Sequence, residues 1–184
     1  MLEICTVSGY NEVGRNCTAV RVDDEVVILD MGVQMDKYVE FTDEQGDISK
    51  ISPKTLIHAG AIPDINLIKD WWNDVIAIIP SHAHLAHIGA IPFLANRFNA
   101  DILCTPFTKA LLEAIMRDNN FRTNNSIISV TPNSTYKLSD KITVEFVHVT
   151  HSVPQSAIVV LHTPYGTVVY TDDFKLDLSP ILGK

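Results

Sequence analysis

His82, His84 and His87 stand two and five residues apart in Ser81-His82-Ala83-His84-Leu85-Ala86-His87-Ile88-Gly89. A neutral imidazole is a borderline ligand that suits zinc-like metals better than magnesium. Three rings at this spacing can converge on one point from a tight loop, which an extended strand could not arrange. The apolar run Val75–Pro80 reads as the buried strand that delivers this loop. Two later positions repeat the pattern. Thr150-His151-Ser152 ends the strand-like run Ile142–Val149, and Thr171-Asp172-Asp173-Phe174 ends the run Thr167–Tyr170. Four imidazoles and the carboxylate of Asp173 thus lie just past strand ends, a set that suits one or two zinc ions.

The elements that must position these groups are mostly short strands. Leu2–Ser8, Cys17–Val22, Val26–Asp30 and Asp101–Thr105 join Val75–Pro80 as strand-like runs. Ile142, Val144 and Phe146 alternate with Thr143 and Glu145, the signature of a half-buried strand. Ala157–Thr163 and Thr167–Thr171 flank Pro164-Tyr165-Gly166, a hairpin turn. Helical signals fall between strands. Thr105 as N-cap and Pro106 at the first helical position open a helix over Phe107–Arg117, with Leu111, Leu112, Ile115 and Met116 on one face. Ile65–Asn73 and Ile88–Phe98 carry weaker helical patterns, and polar Asp36–Lys54, with Asp43, Glu44 and Asp47, reads as an irregular surface loop. Strands followed by helices predict an α/β sandwich with its chemistry on sheet-end loops.

A chain of 184 residues, 46% hydrophobic and 20% charged, suits one soluble domain with a sizeable core. It contains no apolar run long enough for a membrane span, and its start has no signal-peptide character. Cys5, Cys17 and Cys104 are odd in number and widely spaced, which predicts reduced thiols and a cytoplasmic location. The net charge of −8 argues only mildly against a nucleic-acid partner, because bound metal and local cations can outweigh the global sign.

The order of strand, His-rich loop, later lone His and later Asp resembles the metallo-β-lactamase fold, an αββα sandwich. Further segments are similar to the β-CASP nucleases, and within them to ribonuclease J, especially its archaeal branch. These are Asn11-Glu12-Val13-Gly14-Arg15-Asn16, Leu29-Asp30-Met31-Gly32, Ile62-Pro63-Asp64, His87-Ile88-Gly89-Ala90-Ile91-Pro92, Thr150-His151-Ser152-Val153-Pro154 and Asp173-Phe174-Lys175. The likeness runs from the first strand to about Leu178. It implies a zinc-dependent ribonuclease that trims RNA from the 5′ end, also cuts internally, and uses metal-bound hydroxide. It further implies His82, His84 and His151 as ligands of a first zinc, His87 as a ligand of a second, and Asp173 as the bridge between them. Asp30 matches an aspartate that orients the His loop. Asp172 is expected either to support a ligand from behind or to face solvent.

Two departures stand out. The resemblance implies an aspartate on the second zinc where this chain has Ala86, whose side chain offers no lone pair. Two-metal phosphodiester cleavage needs both ions, so this chain is expected to be inactive or severely impaired, with the first zinc retained. The resemblance also implies that residues 1–184 are only the first lobe, the N-terminal part of the lactamase domain. A β-CASP domain and a second lactamase lobe would lie outside the chain, leaving apolar sheet surface exposed. Expected partners are RNA and that missing lobe, with a homodimer left open and no membrane. Two other readings compete. One is a non-catalytic, metal-stabilised RNA-binding or assembly module; the other is a lactamase-fold hydrolase of small esters, since fold alone does not choose a substrate.

Other polar and aromatic residues read as structural. His58, His148 and His162 are expected off the centre, and Trp71 with Trp72 is expected to pack a helix on the sheet. Ser81, Ser152 and Ser156 suit either loop satisfaction or phosphate contact.

Overall fold

The computed structural model describes residues 1–42, 47–177, 179 and 180; Asp43, Glu44 and Leu178 lie outside the described residues. Six strands form the first sheet in sequential order: β1 (Leu2–Ser8), β2 (Cys17–Val22), β3 (Glu25–Leu29), β4 (Val75–Ile79), β5 (Asp101–Cys104) and β6 (Ile127–Ser129). β1 to β3 pair antiparallel, whereas β3 to β6 pair parallel. A second, antiparallel sheet runs β10-β9-β8-β7, from β7 (Ser134–Lys137), β8 (Thr143–His148), β9 (Ala157–Thr163) and β10 (Gly166–Tyr170).

Parallel pairing requires crossovers, and these carry the helices. α1 (Met35–Thr42) and α2 (Pro53–Ala59) precede β4. α3 (Leu85–Ile88) and α4 (Ile91–Leu94) precede β5, and α5 (Pro106–Asp118) precedes β6. Strand alternation then divides the interior into two cores. Val26, Ile28, Val75 and Ile78 face the helices, meeting Leu56, Ile88, Ile91 and Leu112. Val27, Leu29, Ala77 and Ile79 face the second sheet, meeting Val144, Phe146, Val159 and Leu161. Each fully buried Ile, Leu or Phe side chain contributes roughly 1.5–3 kcal/mol relative to exposure. Helix layer, first sheet and second sheet thus form three of the four layers of an αββα sandwich. Among the described residues, the second sheet's outer face carries an apolar stripe of Val147, Ile158, Val160 and Val169, the last 54% exposed, beside Glu145 and His162.

The eight strands read from the sequence match to within a residue at their ends, whereas β6 and β7 are not among them. Asp36–Lys54 does not: it is helical at both ends, in α1 and the start of α2, with a 3-10 turn at Ile48–Lys50 between. Asp47 caps that turn by accepting from the Ser49 N–H, and Pro53 opens α2. α1 buries no residue fully, but Tyr38 packs against the first core. Ile88–Phe98 is α3, α4 and a 3-10 turn in succession, broken around Gly89-Ala90. Trp71 and Trp72 pack on the first core, as expected; Trp72 Nε1 donates to the Ile65 carbonyl at 3.0 Å, and Arg97 stacks on its ring.

After β3 the chain at Met31–Val33 runs against the His-rich loop. Met31 N donates to His87 O at 2.8 Å and Val33 N donates to Leu85 O at 2.9 Å. Between them sits Gly32, where an added Cβ would fall 1.5 Å from the Ala86 carbonyl oxygen. Backbone against backbone leaves no soft neighbour to give way. Gly32→Ala is therefore expected to cost about 3 kcal/mol or more. Urea unfolding of the two proteins checks this, and a change below about 1 kcal/mol would refute the close approach.

Candidate metal centre

All five predicted ligand positions meet where β3 and β4 of the first sheet and β8 and β10 of the second come to their C-terminal ends. His82 follows β4 directly, His84 caps α3, and His87 lies within α3. His151 follows β8 and Asp173 follows β10. One potential ligand atom from each of His82, His84, His151 and Asp173 lies within 4.8 Å of the others. Nε2 of His82 is 3.0 Å from Nδ1 of His84, which is 3.3 Å from Nε2 of His151. Asp173 stands at the mouth, 57% exposed, with Oδ2 4.0 Å from His151 Nε2 and 3.6 Å from His87 Nε2. It lies between the first three imidazoles and His87, the position a bridging carboxylate would take.

The protons on the far sides of the rings can be assigned from their partners. His82 Nδ1 donates to Asp172 Oδ2 at 2.6 Å, leaving Nε2 with its lone pair toward the cluster. His87 Nδ1 donates to Asp30 Oδ2 at 2.8 Å, which turns Nε2 away from that carboxylate. His84 and His151 both have pKa values lowered by burial first and then by neighbouring imidazoles. They are therefore neutral near pH 7. Three ring nitrogens face one another at hydrogen-bond distance, and the buried Nδ1 of His151 finds no partner among the described residues, so the donor set fits a metal ion. A second grouping of His82, His87 and Asp172 is the back of the same rings, where Nδ1–H groups meet carboxylates.

Asp30 is fully buried and receives the Ser81 N–H at 2.8 Å, His87 Nδ1–H at 2.8 Å and the Tyr170 hydroxyl at 2.8 Å. It thus lies behind the His loop, where the sequence reading expects it. Asp172 turns inward: its side chain is 5% exposed and accepts from His82 and from Ser81 Oγ at 2.5 Å. Hydrogen bonds from these donors lower its pKa, outweighing burial, which alone would raise it. Ser81 is therefore used inside the protein, and Ser156 donates to Val153 O. Ser152 alone of the three serines faces outward beside the centre, 3.4 Å from His84 Nε2. His58 is exposed on α2, His148 ends β8, and His162 pairs with Glu145 at 2.8 Å, none of them among the converging ligands.

Sequence reasoning missed two members. Asn16 Nδ2 donates to Ala86 O at 3.1 Å and lies 3.2 Å from His87 Nε2. Its one signal was its place in the Asn11–Asn16 segment. Tyr170 ends β10 as an ordinary strand aromatic, and nothing local marks its hydroxyl as a partner of Asp30.

Burial alone would lower the His87 pKa, but the charge and hydrogen bond of Asp30 win and push it up to about 9. An unfolded histidine titrates near about 6.5. The raised value means that the protonated pair stabilises the metal-free chain fully below about pH 6.5. That contribution is lost as pH rises through about 9. Denaturant unfolding of metal-free wild type and His87→Gln between pH 6 and 10 is expected to show their difference shrinking over this window. A difference that stays constant would refute it. A metal held by His87 would have to displace this proton.

The profile of the Metallo-beta-lactamase superfamily matches residues 10–178. The chain is 46% identical over 184 residues to Ribonuclease J of Methanocaldococcus jannaschii, covering 100% of this chain and 41% of that protein. To Ribonuclease J of Pyrococcus abyssi it is 42% identical over 179 residues, covering 96% and 39%. The chain spans about two-fifths of the length of these relatives. Among solved structures, a protein of unknown function from Enterococcus faecalis superposes with TM-score 0.71 at 23% identity, covering 95% of this chain and 44% of that one. The subclass B3 metallo-beta-lactamase BJP-1 of Bradyrhizobium japonicum gives 0.57 at 15%, covering 92% and 60%. No helix among the described residues is long and apolar enough to cross a membrane. By its fold and by a profile match over most of its length, the chain belongs to the metallo-β-lactamase superfamily.

Proposed function

We propose that this chain carries the metal-binding part of a zinc-dependent ribonuclease of the ribonuclease J type, acting on RNA phosphodiester bonds from the 5′ end and also internally. The observation that carries the reading is the convergence of His82 Nε2, His84 Nδ1 and His151 Nε2 at 3.0 and 3.3 Å with Asp173 beside them. Zinc–nitrogen bonds of about 2.0–2.1 Å at tetrahedral angles separate neighbouring ligand nitrogens by roughly 3.3 Å. Zinc, when bound, lowers the pKa of water and neutralises charge on a transferring phosphoryl group. His82, His84 and His151 would hold the first ion, with His87 and Asp173 directed to a second. Ser152 stands beside His84, where it can donate to a phosphate oxygen.

Ala86 removes an anionic ligand from the second position. His87 Nε2 meets the Asn16 amide there at 3.2 Å, a neutral donor in place of a carboxylate. In this reading the first zinc is retained and turnover is severely reduced. Residues 1–184 correspond to the first lobe of the lactamase domain, with a β-CASP domain and the second lobe completing the RNA channel. The unpaired thiols of Cys5, Cys17 and Cys104 support a cytoplasmic location.

Restoring the carboxylate tests the reading. Zinc per chain is expected to rise from about one in the Ala86 protein to about two in Ala86→Asp. In a form that includes the second lobe, Ala86→Asp is expected to cleave labelled RNA at least about 100-fold faster than the Ala86 form. RNA binding should weaken as salt rises. Ordinary ribonuclease turnover by the Ala86 form would refute the impairment. Preference for a thioester or lactone over RNA would favour a small-ester hydrolase. RNA bound but uncut by Ala86→Asp would favour a non-catalytic RNA-binding or assembly module, the reading that Ala86 itself supports.

A further inference from the structure

We infer that Asp172 is a positioning residue for the first metal: its carboxylate, shared with Ser81, fixes the His82 ring so that Nε2 faces the ion. The inference rests on the proposed metal site and concerns a residue outside the ligand set. His82 is fully buried, and Asp172 is the carboxylate that holds it. The Nδ1 atom also lies 3.1 Å from Ser81 Oγ, but that hydroxyl has one proton and two carboxylates near it. Asp30 already takes the Ser81 N–H, His87 Nδ1–H and Tyr170 O–H. The Ser81 proton therefore goes to Asp172 Oδ2 at 2.5 Å, which leaves the His82 Nδ1–H to the same oxygen at 2.6 Å. Asp172 Oδ1 lies 3.2 Å from His87 Nδ1, so the one carboxylate sits behind both buried rings.

The backbone is arranged for this contact. Asp172 has φ +52°, in the left-handed region that costs most side chains about 1 kcal/mol and that aspartate tolerates better than most. An inward carboxylate that is nearly buried, bonded at short distance and held in that conformation has a use other than solvation. A carboxylate behind a ligating imidazole fixes the tautomer, orients the ring and makes the metal-facing nitrogen more basic. Asp30 does this for His87 and Asp172 does it for His82. Asp172 also returns negative charge to a centre where Ala86 supplies none.

Two variants separate positioning from folding. Asp172→Gly removes the carboxylate and relieves the left-handed backbone; Asp172→Asn keeps an acceptor oxygen but not the charge. In the whole chain, zinc affinity measured by chelator competition is expected to fall about 10- to 100-fold in Asp172→Gly and less in Asp172→Asn. The melting temperature of metal-free Asp172→Gly should fall, because the His82 Nδ1–H and the Ser81 hydroxyl lose their acceptor, so the ring tautomer in the folded protein, not stability, reports positioning. Nitrogen chemical shifts of metal-free His82 should report the Nδ1–H tautomer in wild type and Asp172→Asn, and loss of that preference in Asp172→Gly. Zinc affinities within about twofold of wild type in both variants would overturn the inference, as would an unchanged His82 tautomer in Asp172→Gly. Should Asp172→Gly fail to fold, Asp172→Asn decides alone, and wild-type affinity there overturns it. A wild-type chain that binds no zinc would defeat the metal reading itself, and the tautomer measurement would still decide the role of Asp172.

Discussion

The buried carboxylate of Asp30 is the constraint on which the centre depends. It leaves β3 at φ +59°, with its own N–H bonded to Ile79 O at 3.1 Å, and so turns back under the His loop. An unpaired charge in that place would cost several kcal/mol. Three donors offset it, and they come from three parts of the chain: the Ser81 backbone, the His87 ring and the Tyr170 hydroxyl. Tyr170 belongs to the second sheet, so this one carboxylate ties both sheets to the metal loop. Burial and the charge of Asp30 raise the Tyr170 pKa, which keeps its hydroxyl a donor. The dependence is mutual. Each donor needs the anion to be satisfied, and the anion needs each donor to be tolerated.

Electrostatics at the centre therefore have a fixed back and an open front. Behind the rings, Asp30 and Asp172 are buried and saturated with donors. In front, His82, His84 and His151 turn ring nitrogens toward one another, and exposed Asp173 stands between them and His87. Buried anions behind imidazoles favour cation binding without themselves acting as ligands.

Much of this was legible in the sequence because the signals were local. The spacing of His82, His84 and His87, and the placement of His151 and Asp173 after apolar runs, needed only adjacent residues. Strands such as β2 and β9 are near-continuous runs of apolar and β-branched residues, enough to be bounded from composition. What escaped was carried by distance along the chain. Asn16 meets Ala86 across 70 residues, Ser81 meets Asp30 across 51, and Tyr170 meets Asp30 across 140. β6 and β7 have three and four residues, too few for a period to emerge. α1 was illegible for another reason: it has only eight residues, about two turns, in a segment rich in charge at Asp36, Lys37 and Glu40.

The centre lies on the seam between two sheets, so its geometry is set by how they pack. The His loop belongs to the first sheet, fixed by backbone bonds from Met31 and Val33 and by Ile88 in the core. His151 and Asp173 belong to the second, with Lys175 N bonded to Thr150 O at 2.7 Å holding their loops together. Bonds cross between these halves near the ligands, among them Ala157 N to Ser81 O at 3.1 Å, Tyr170 to Asp30 at 2.8 Å, and Ser81 Oγ and His82 Nδ1 to Asp172 at 2.5 and 2.6 Å. Beneath them, Val27, Leu29 and Ile79 pack on Val144, Phe146 and Val159. Metal ligands must hold position to about 0.5 Å. A well-packed core resists such displacements because its side chains have no free volume to move into. The second core is thus part of the metal site in a mechanical sense: it sets the gap that an ion bound by His82, His84 and His151 would have to close.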